Sequence, residues 1–175
     1  MPASIFTDNL REQPLSSPSP SAPSSPSPKP KKPKSSLSPK NLAFLNLLIS
    51  DFPEFSFKKG RKFLFRAPKS ISYLDQNENF PLLLLHELSH ALLKHASYST
   101  SVERLTLERD AWVKTRSLCK KYSIPFSDEL AESELDTYRD WLHQKTLCKT
   151  CGLTCLEVNS ESLYCPFCQK YYKKS

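Results

Sequence analysis

The stretch Asn79-Phe80-Pro81-Leu82-Leu83-Leu84-Leu85-His86-Glu87-Leu88-Ser89-His90-Ala91-Leu92-Leu93-Lys94-His95 decides the reading of this chain. Apolar residues surround it nearly all round, which predicts a buried helix from Asn79 to about His95. His86 and His90 are four residues apart, just over one helical turn, so they share a face. Buried imidazoles need partners, because a buried polar group without one is costly. A zinc ion gripped by both rings would satisfy them. Glu87, next to the first histidine, could take a proton from a water held by that ion. This is the H-E-x-x-H pattern of hydrolytic zinc sites.

Such a site takes three protein ligands and keeps one position open. His95 follows His90 by five residues, about 140° further round the helix. No glycine is present to break the helix there, so His95 is expected to point away, as a surface or helix-end histidine. The next helix, predicted over residues 101 to 122, offers Glu108. Leu105, Trp112, Cys119 and Tyr122 form its apolar stripe, with Ala111 and Leu118 beside it, and Glu108 falls on that stripe. Glu103, Asp110 and Lys114 fall on the opposite face. A carboxylate facing a core must be paired or bound to metal. Glu108 is therefore the expected third ligand, with Glu103 as the alternative. For an oxyanion-stabilising donor, Tyr98, Tyr122, Tyr138 and His143 all stay open.

Upstream, Ser38-Pro39 reads as an N-cap and first helical proline, opening a helix that ends at Asp51-Phe52-Pro53. Phe55, Phe57, Phe63 and Phe65 alternate with polar residues around Lys58-Lys59-Gly60-Arg61, predicting a β-hairpin turning at the glycine. Ile71 to Leu74 can add a third strand, and the strand Phe63-Leu64-Phe65 could pair edge-on with an extended substrate. Downstream, Ser127 can cap a helix running to His143.

Four of the six cysteines form Cys148-x-x-Cys151 and Cys165-x-x-Cys168. Two such knuckles predict a second, structural zinc with four thiolates and no open position. Cys155 has the wrong spacing for a knuckle, and Cys119 lies on the apolar stripe as a core thiol. Tyr164, Phe167, Tyr171 and Tyr172 alternate with Lys170, Lys173 and Lys174, which suits either nucleic-acid stacking or a small ribbon core.

Residues 14 to 39 are dominated by Ser, Pro and Lys and cannot bury enough surface to order themselves. That leaves about 135 residues, enough for one domain and an appendage. The formal net charge of +7 is partly local to the tail lysines and to Lys58-Lys59-Gly60-Arg61-Lys62; it fits nucleic-acid contact or a solvated surface. No apolar run approaches the roughly 20 residues that cross a bilayer, and Met1 to Phe6 lacks a signal-peptide pattern. A cytoplasmic location is expected.

His86-Glu87-Leu88-Ser89-His90-Ala91-Leu92-Leu93 followed by Glu108-Arg109-Asp110-Ala111-Trp112 resembles the ImmA/IrrE group of small gluzincin metallopeptidases, encoded by bacteria, phages and mobile elements. The likeness covers about residues 40 to 122 and implies that Glu108 binds zinc, in agreement with the stripe; Trp112 stands where that group commonly has a polar residue. A weaker likeness, to SprT-like peptidases, rests on the same helix joined to a C-terminal zinc ribbon. The expected architecture is α+β: a disordered tail over 1–38, a minimal zincin domain with a small antiparallel sheet over 39–144, and a zinc ribbon over 145–175. The expected function is zinc-dependent hydrolysis of a cytoplasmic protein or peptide substrate, with Glu87 as general base. The alternative is a non-enzymatic DNA- or protein-binding regulator of a phage or mobile element, using ribbon and tail.

Overall fold

A computed structural model describes residues 37–174. The tail read over residues 1 to 38 lies outside the described residues, save Leu37 and Ser38. Helix α1 spans Pro39–Asp51, with Ser38 Oγ accepting from the Asn41 amide at 3.2 Å. Its Phe44, Leu45 and Leu48 face the core, the spacing that the sequence gives them.

Three short strands follow, β1 (Ser56–Lys59), β2 (Leu64–Arg66) and β3 (Ser70–Tyr73). Their order is β1-β3-β2. β3 pairs with β1 in parallel and with β2 antiparallel, so the expected hairpin and antiparallel sheet are corrected to a mixed sheet. The reason is packing. Ile71 is fully buried and takes the central strand, with Phe57 and Phe65 in register on either side. The Gly60 segment is a crossing loop rather than a hairpin turn. The Gly60 amide extends the pairing by donating to Tyr73 O at 2.8 Å. A Cβ on Gly60 would come within 3.1 Å of Ser72 Cβ, so the close crossing favours glycine. Ser72 Oγ donates to Lys62 O and Leu64 O and ties the crossing to β3. The actual hairpin turn lies between β2 and β3, through a cis Ala67–Pro68 bond.

Helix α2 (Phe80–Leu92) is the centre of the fold: Phe80 and Leu82 through Ala91 are all buried. Phe80 anchors it on the sheet through edge-on contacts with Phe63 and Tyr73 at 5.8 and 5.7 Å. α3 (Ser101–Tyr122) packs along its other side, capped by Thr100 Oγ1. α4 (Asp128–Thr146) packs on α3 and starts at the Ser127 cap, as expected, but runs three residues past His143.

The last residues form a separate antiparallel sheet, β4 (Leu156–Glu157), β5 (Ser162–Cys165) and β6 (Lys170–Lys173), in that order. Its core is Cys148, Cys155, Leu163 and Cys165. It is fastened to α3: Glu157 Oε2 accepts from the Ser101 amide at 2.8 Å, and Lys174 pairs with the same carboxylate. A carboxylate at a helix N-terminus both caps an orphan amide and meets the positive end of the helix dipole. The chain is thus α+β, with four helices and two small sheets among the described residues. None of its described helices is long and apolar enough to cross a membrane.

Candidate metal centre

α2 presents His86 and His90 on one face, and α3 brings Glu108 against them. The register between the two helices is held by a buried contact, Ser89 Oγ to Thr115 Oγ1 at 2.9 Å. Thr115 lies seven residues, two turns, beyond Glu108 on α3. Ser89 occupies a variable position of the motif, and sequence reading gave it no role.

Three donor atoms converge. Nε2 of His90 lies 3.2 Å from Nε2 of His86, and Oε2 of Glu108 lies 3.3 Å from the first and 3.4 Å from the second. Ligands bound at about 2.0–2.1 Å in a tetrahedral arrangement stand roughly 3.3 Å apart, so the triangle has the size a small metal ion demands. All three side chains are buried. Lone pairs crowded together in this way need a cation or a shared proton between them. Burial works to raise the Glu108 carboxyl, but the hydrogen bonds from both histidines outweigh it and hold it well below the ordinary range. His90 shifts the other way: burial pulls it down, yet the hydrogen bond and charge of Glu108 prevail and raise it. The alternative ligand Glu103 is elsewhere, exposed and accepting from Ser99 N and Oγ.

Glu87 is buried, and its Oε2 accepts from the Phe65 amide at 2.7 Å. β2 is an edge strand, as expected for substrate pairing, but this outward amide is already engaged by Glu87. Beside it runs an apolar cleft of about 460 Å³, lined by Phe55, Phe65, Ala67, Pro68, Ala91 and Leu92 among others.

His95 is a correction. It is buried, and its Nδ1 lies 2.9 Å from His90 Nδ1. The helix does break, without glycine. Lys94 takes φ 57°, its amide donates to Ala91 O and the His95 amide to His90 O. That is a Schellman closure with lysine in the left-handed position, and it turns His95 back onto His90. Burial and the neighbouring His90 lower His95 below the ordinary imidazole value. Trp112, the departure from the resembling group, stacks on the His86 ring at 4.2 Å.

Of the four candidate oxyanion donors, Tyr138 lies under the guanidinium of Arg104, one turn from Glu108 on α3. Burial and the Glu108 carboxylate beside it push its phenol well above the ordinary value. Tyr122 instead donates to Asp51, Tyr98 accepts from Arg104, and His143 is exposed. Arg104, one turn before Glu108, was missed: its guanidinium lies over the rings of Tyr98, Tyr138 and Trp141 at 5.1–5.3 Å. Its spacing of four before Glu108 puts it on the same helix face, a signal that the sequence did carry.

The second group is Cys148, Cys151, Cys165 and Cys168, which converge so that they could hold a metal ion. Gly152 at φ 73° and Gln169 at φ 54° close the two knuckles, each one residue past the second thiol. Amides of Thr150 and Cys168 donate to Cys148 and Cys165 sulfurs at 3.4 Å. Burial works to raise Cys148, but the Tyr172 phenol and nearby amides bring it down to about 5. Cys168, facing Cys151 and the other sulfurs, is pushed up to about 12. Four thiolates cannot coexist there without a cation. Tyr172 belongs to this small core, while Phe167 and Tyr171 are exposed. Cys119 is a core thiol, as expected, raised to about 11 by burial.

Comparison of the chain with protein-family models, with curated proteins and with solved structures returned no match.

Proposed function

We propose that this chain is a zinc-dependent metallopeptidase of the glutamate-ligand type, with a zincin-like catalytic unit, similar to the ImmA/IrrE group, and a structural zinc ribbon at its C-terminal end. The observation that carries the reading is the buried triangle of His86, His90 and Glu108, with a buried Glu87 next to His86 in the chain. The donor set, two imidazoles and one carboxylate, is that of hydrolytic zinc. When bound, zinc would supply Lewis acidity, activating water and polarising the scissile carbonyl.

The protein's own groups do the remainder. Glu87 is the general base: it takes a proton from the attacking water and returns it to the leaving amine. The Phe65 amide holds one Glu87 oxygen. Tyr138, packed under Arg104 one turn from Glu108, is the donor assigned to the developing oxyanion. The cleft beside β2 takes an apolar side chain of the substrate. Cys148, Cys151, Cys165 and Cys168 hold the second zinc, which serves folding. The substrate is a protein or peptide.

The test compares peptide cleavage across a whole proteome by wild type and Glu87→Gln. Products made by wild type and absent with Glu87→Gln, at equal zinc content, support the reading. Identical product sets overturn the enzyme and leave a metal-bearing binding protein.

A further inference from the structure

The two histidines are held by unlike contacts. His90 meets His95 nitrogen to nitrogen, Nδ1 to Nδ1, at 2.9 Å, with both rings buried. Such a contact needs one proton, carried by one ring and accepted by the other. A ring that offers its Nε2 lone pair to an ion must carry its proton on Nδ1. His90 points Nε2 at His86 and Glu108, so His90 Nδ1–H donates and His95 Nδ1 accepts. His95 then bears its own proton on Nε2. His86 has no equivalent: its Nδ1 is buried and finds no hydrogen-bond partner among the described residues. The Trp112 ring lies nearly parallel to His86, at 29° and 4.2 Å. Trp112 is itself fixed by an edge contact with Phe126 at 6.2 Å.

From these contacts we infer that His95 and Trp112 are the positioning residues of the metal centre, His95 by fixing the tautomer and ring angle of His90, Trp112 by clamping the His86 ring. The inference rests on the reading of His86, His90 and Glu108 as metal ligands, and on this chain's own packing. Neither residue belongs to the group of three that could hold the ion. The break at Lys94 is what makes the His95 contact, so the left-handed residue after α2 belongs to the site.

The experiment measures zinc affinity of the full chain against a colorimetric chelator, with the four-cysteine site already filled. Removing an outer partner of a metal-binding histidine weakens affinity about 10–100-fold. His95→Leu is expected to show such a loss, and His95→Gln, which keeps an acceptor, to recover much of it. Trp112→Leu is expected to lose affinity and Trp112→Phe to retain it. Because Trp112 is in the core, thermal unfolding of each metal-free variant is recorded, and affinities are read well below its midpoint. Nitrogen-15 spectra of the zinc-loaded wild type should show His90 protonated at Nδ1 and His95 at Nε2. Wild-type affinity in His95→Leu and Trp112→Leu, while His86→Ala loses the ion, would overturn the inference and leave the ligand set standing. Retention of the ion by His86→Ala would overturn both.

Discussion

Glu108→Gln isolates the contribution of one buried charge. The amide matches the carboxylate in shape, so packing on α3 is kept and only charge and lone pairs change. Without metal, an imidazolium 3.3 Å from the carboxylate gains about 5 kcal/mol at an effective dielectric near 20. Burying the two ions costs several kcal/mol of desolvation, which nearly offsets that gain. The metal-free variant should therefore unfold within about 1–2 kcal/mol of wild type. With metal the result differs, because the neutral amide is a poor partner for a divalent ion. A loss of at least roughly 100-fold in affinity is expected when one of three ligands is replaced. At free zinc 100 times the wild-type dissociation constant, binding stabilises wild type by about 2.7 kcal/mol. The variant, with a dissociation constant near the zinc concentration, gains only about 0.4 kcal/mol. The difference of about 2.3 kcal/mol corresponds to a midpoint shift on the order of 10 °C for a domain of this size. The assay is thermal unfolding by circular dichroism, starting from protein with the cysteine site filled and adding zinc. An equal zinc-dependent rise in wild type and Glu108→Gln would remove Glu108 from the ligand set.

Other changes probe the frame around the site. Leu88→Ala empties a fully buried position of α2 and should lose about 2–5 kcal/mol in urea unfolding; a loss below about 1 kcal/mol would place α2 outside the core. Lys94→Gly relieves a left-handed lysine, and the strain of about 1–2 kcal/mol exceeds the entropy of a new glycine, so stability should rise by up to about 1 kcal/mol; a marked fall would contradict the break that places His95. Cys165→Ser should lower bound zinc by one equivalent and expose the segment after residue 147 to protease, with the other zinc retained; loss of both would show one shared site. For Glu157, burial works upward, but Lys174 and the Ser101 contacts prevail and lower it from its ordinary 4.5. A lowered carboxyl stabilises the folded form above its ordinary value, and that gain disappears as pH falls through the folded one. Protection of the Ser101 amide from hydrogen exchange should therefore weaken on acidification below about 4.5, and Glu157→Gln should flatten that dependence; an unchanged acid profile in Glu157→Gln would detach this contact from docking.

Helical phase made much of the site legible. His86, His90 and Glu108 could be placed because each lies inside an unbroken helix, where angle follows from residue count. The same arithmetic failed for His95, since it assumes that the helix continues, and Lys94 ends that assumption in a conformation that lysine rarely adopts. The caps at Ser38 and Ser127 were readable because hydroxyl capping is a local interaction. Strand order was not: the Gly60 run has hairpin composition, and only the burial of Ile71 between two phenylalanines makes β3 central. The Ser89–Thr115 contact joins residues 26 apart, and no local pattern announces it.

The two groups that could hold a metal ion meet through one helix. α3 carries Glu108 in its second turn, Trp112 in its third and Thr115 beyond, so it supplies a ligand, a clamp and the register contact with α2. Its first amide is capped from the cysteine module by Glu157, which Lys174 in turn holds. The cap acts on the end of α3 nearest Arg104 and Glu108, within two turns of the ligand. A helix is stiff over that distance, and this contact adds to the cap that Thr100 Oγ1 already gives the first turn. The cysteine module is therefore tied, through the first turn of α3, to the helix that carries Glu108.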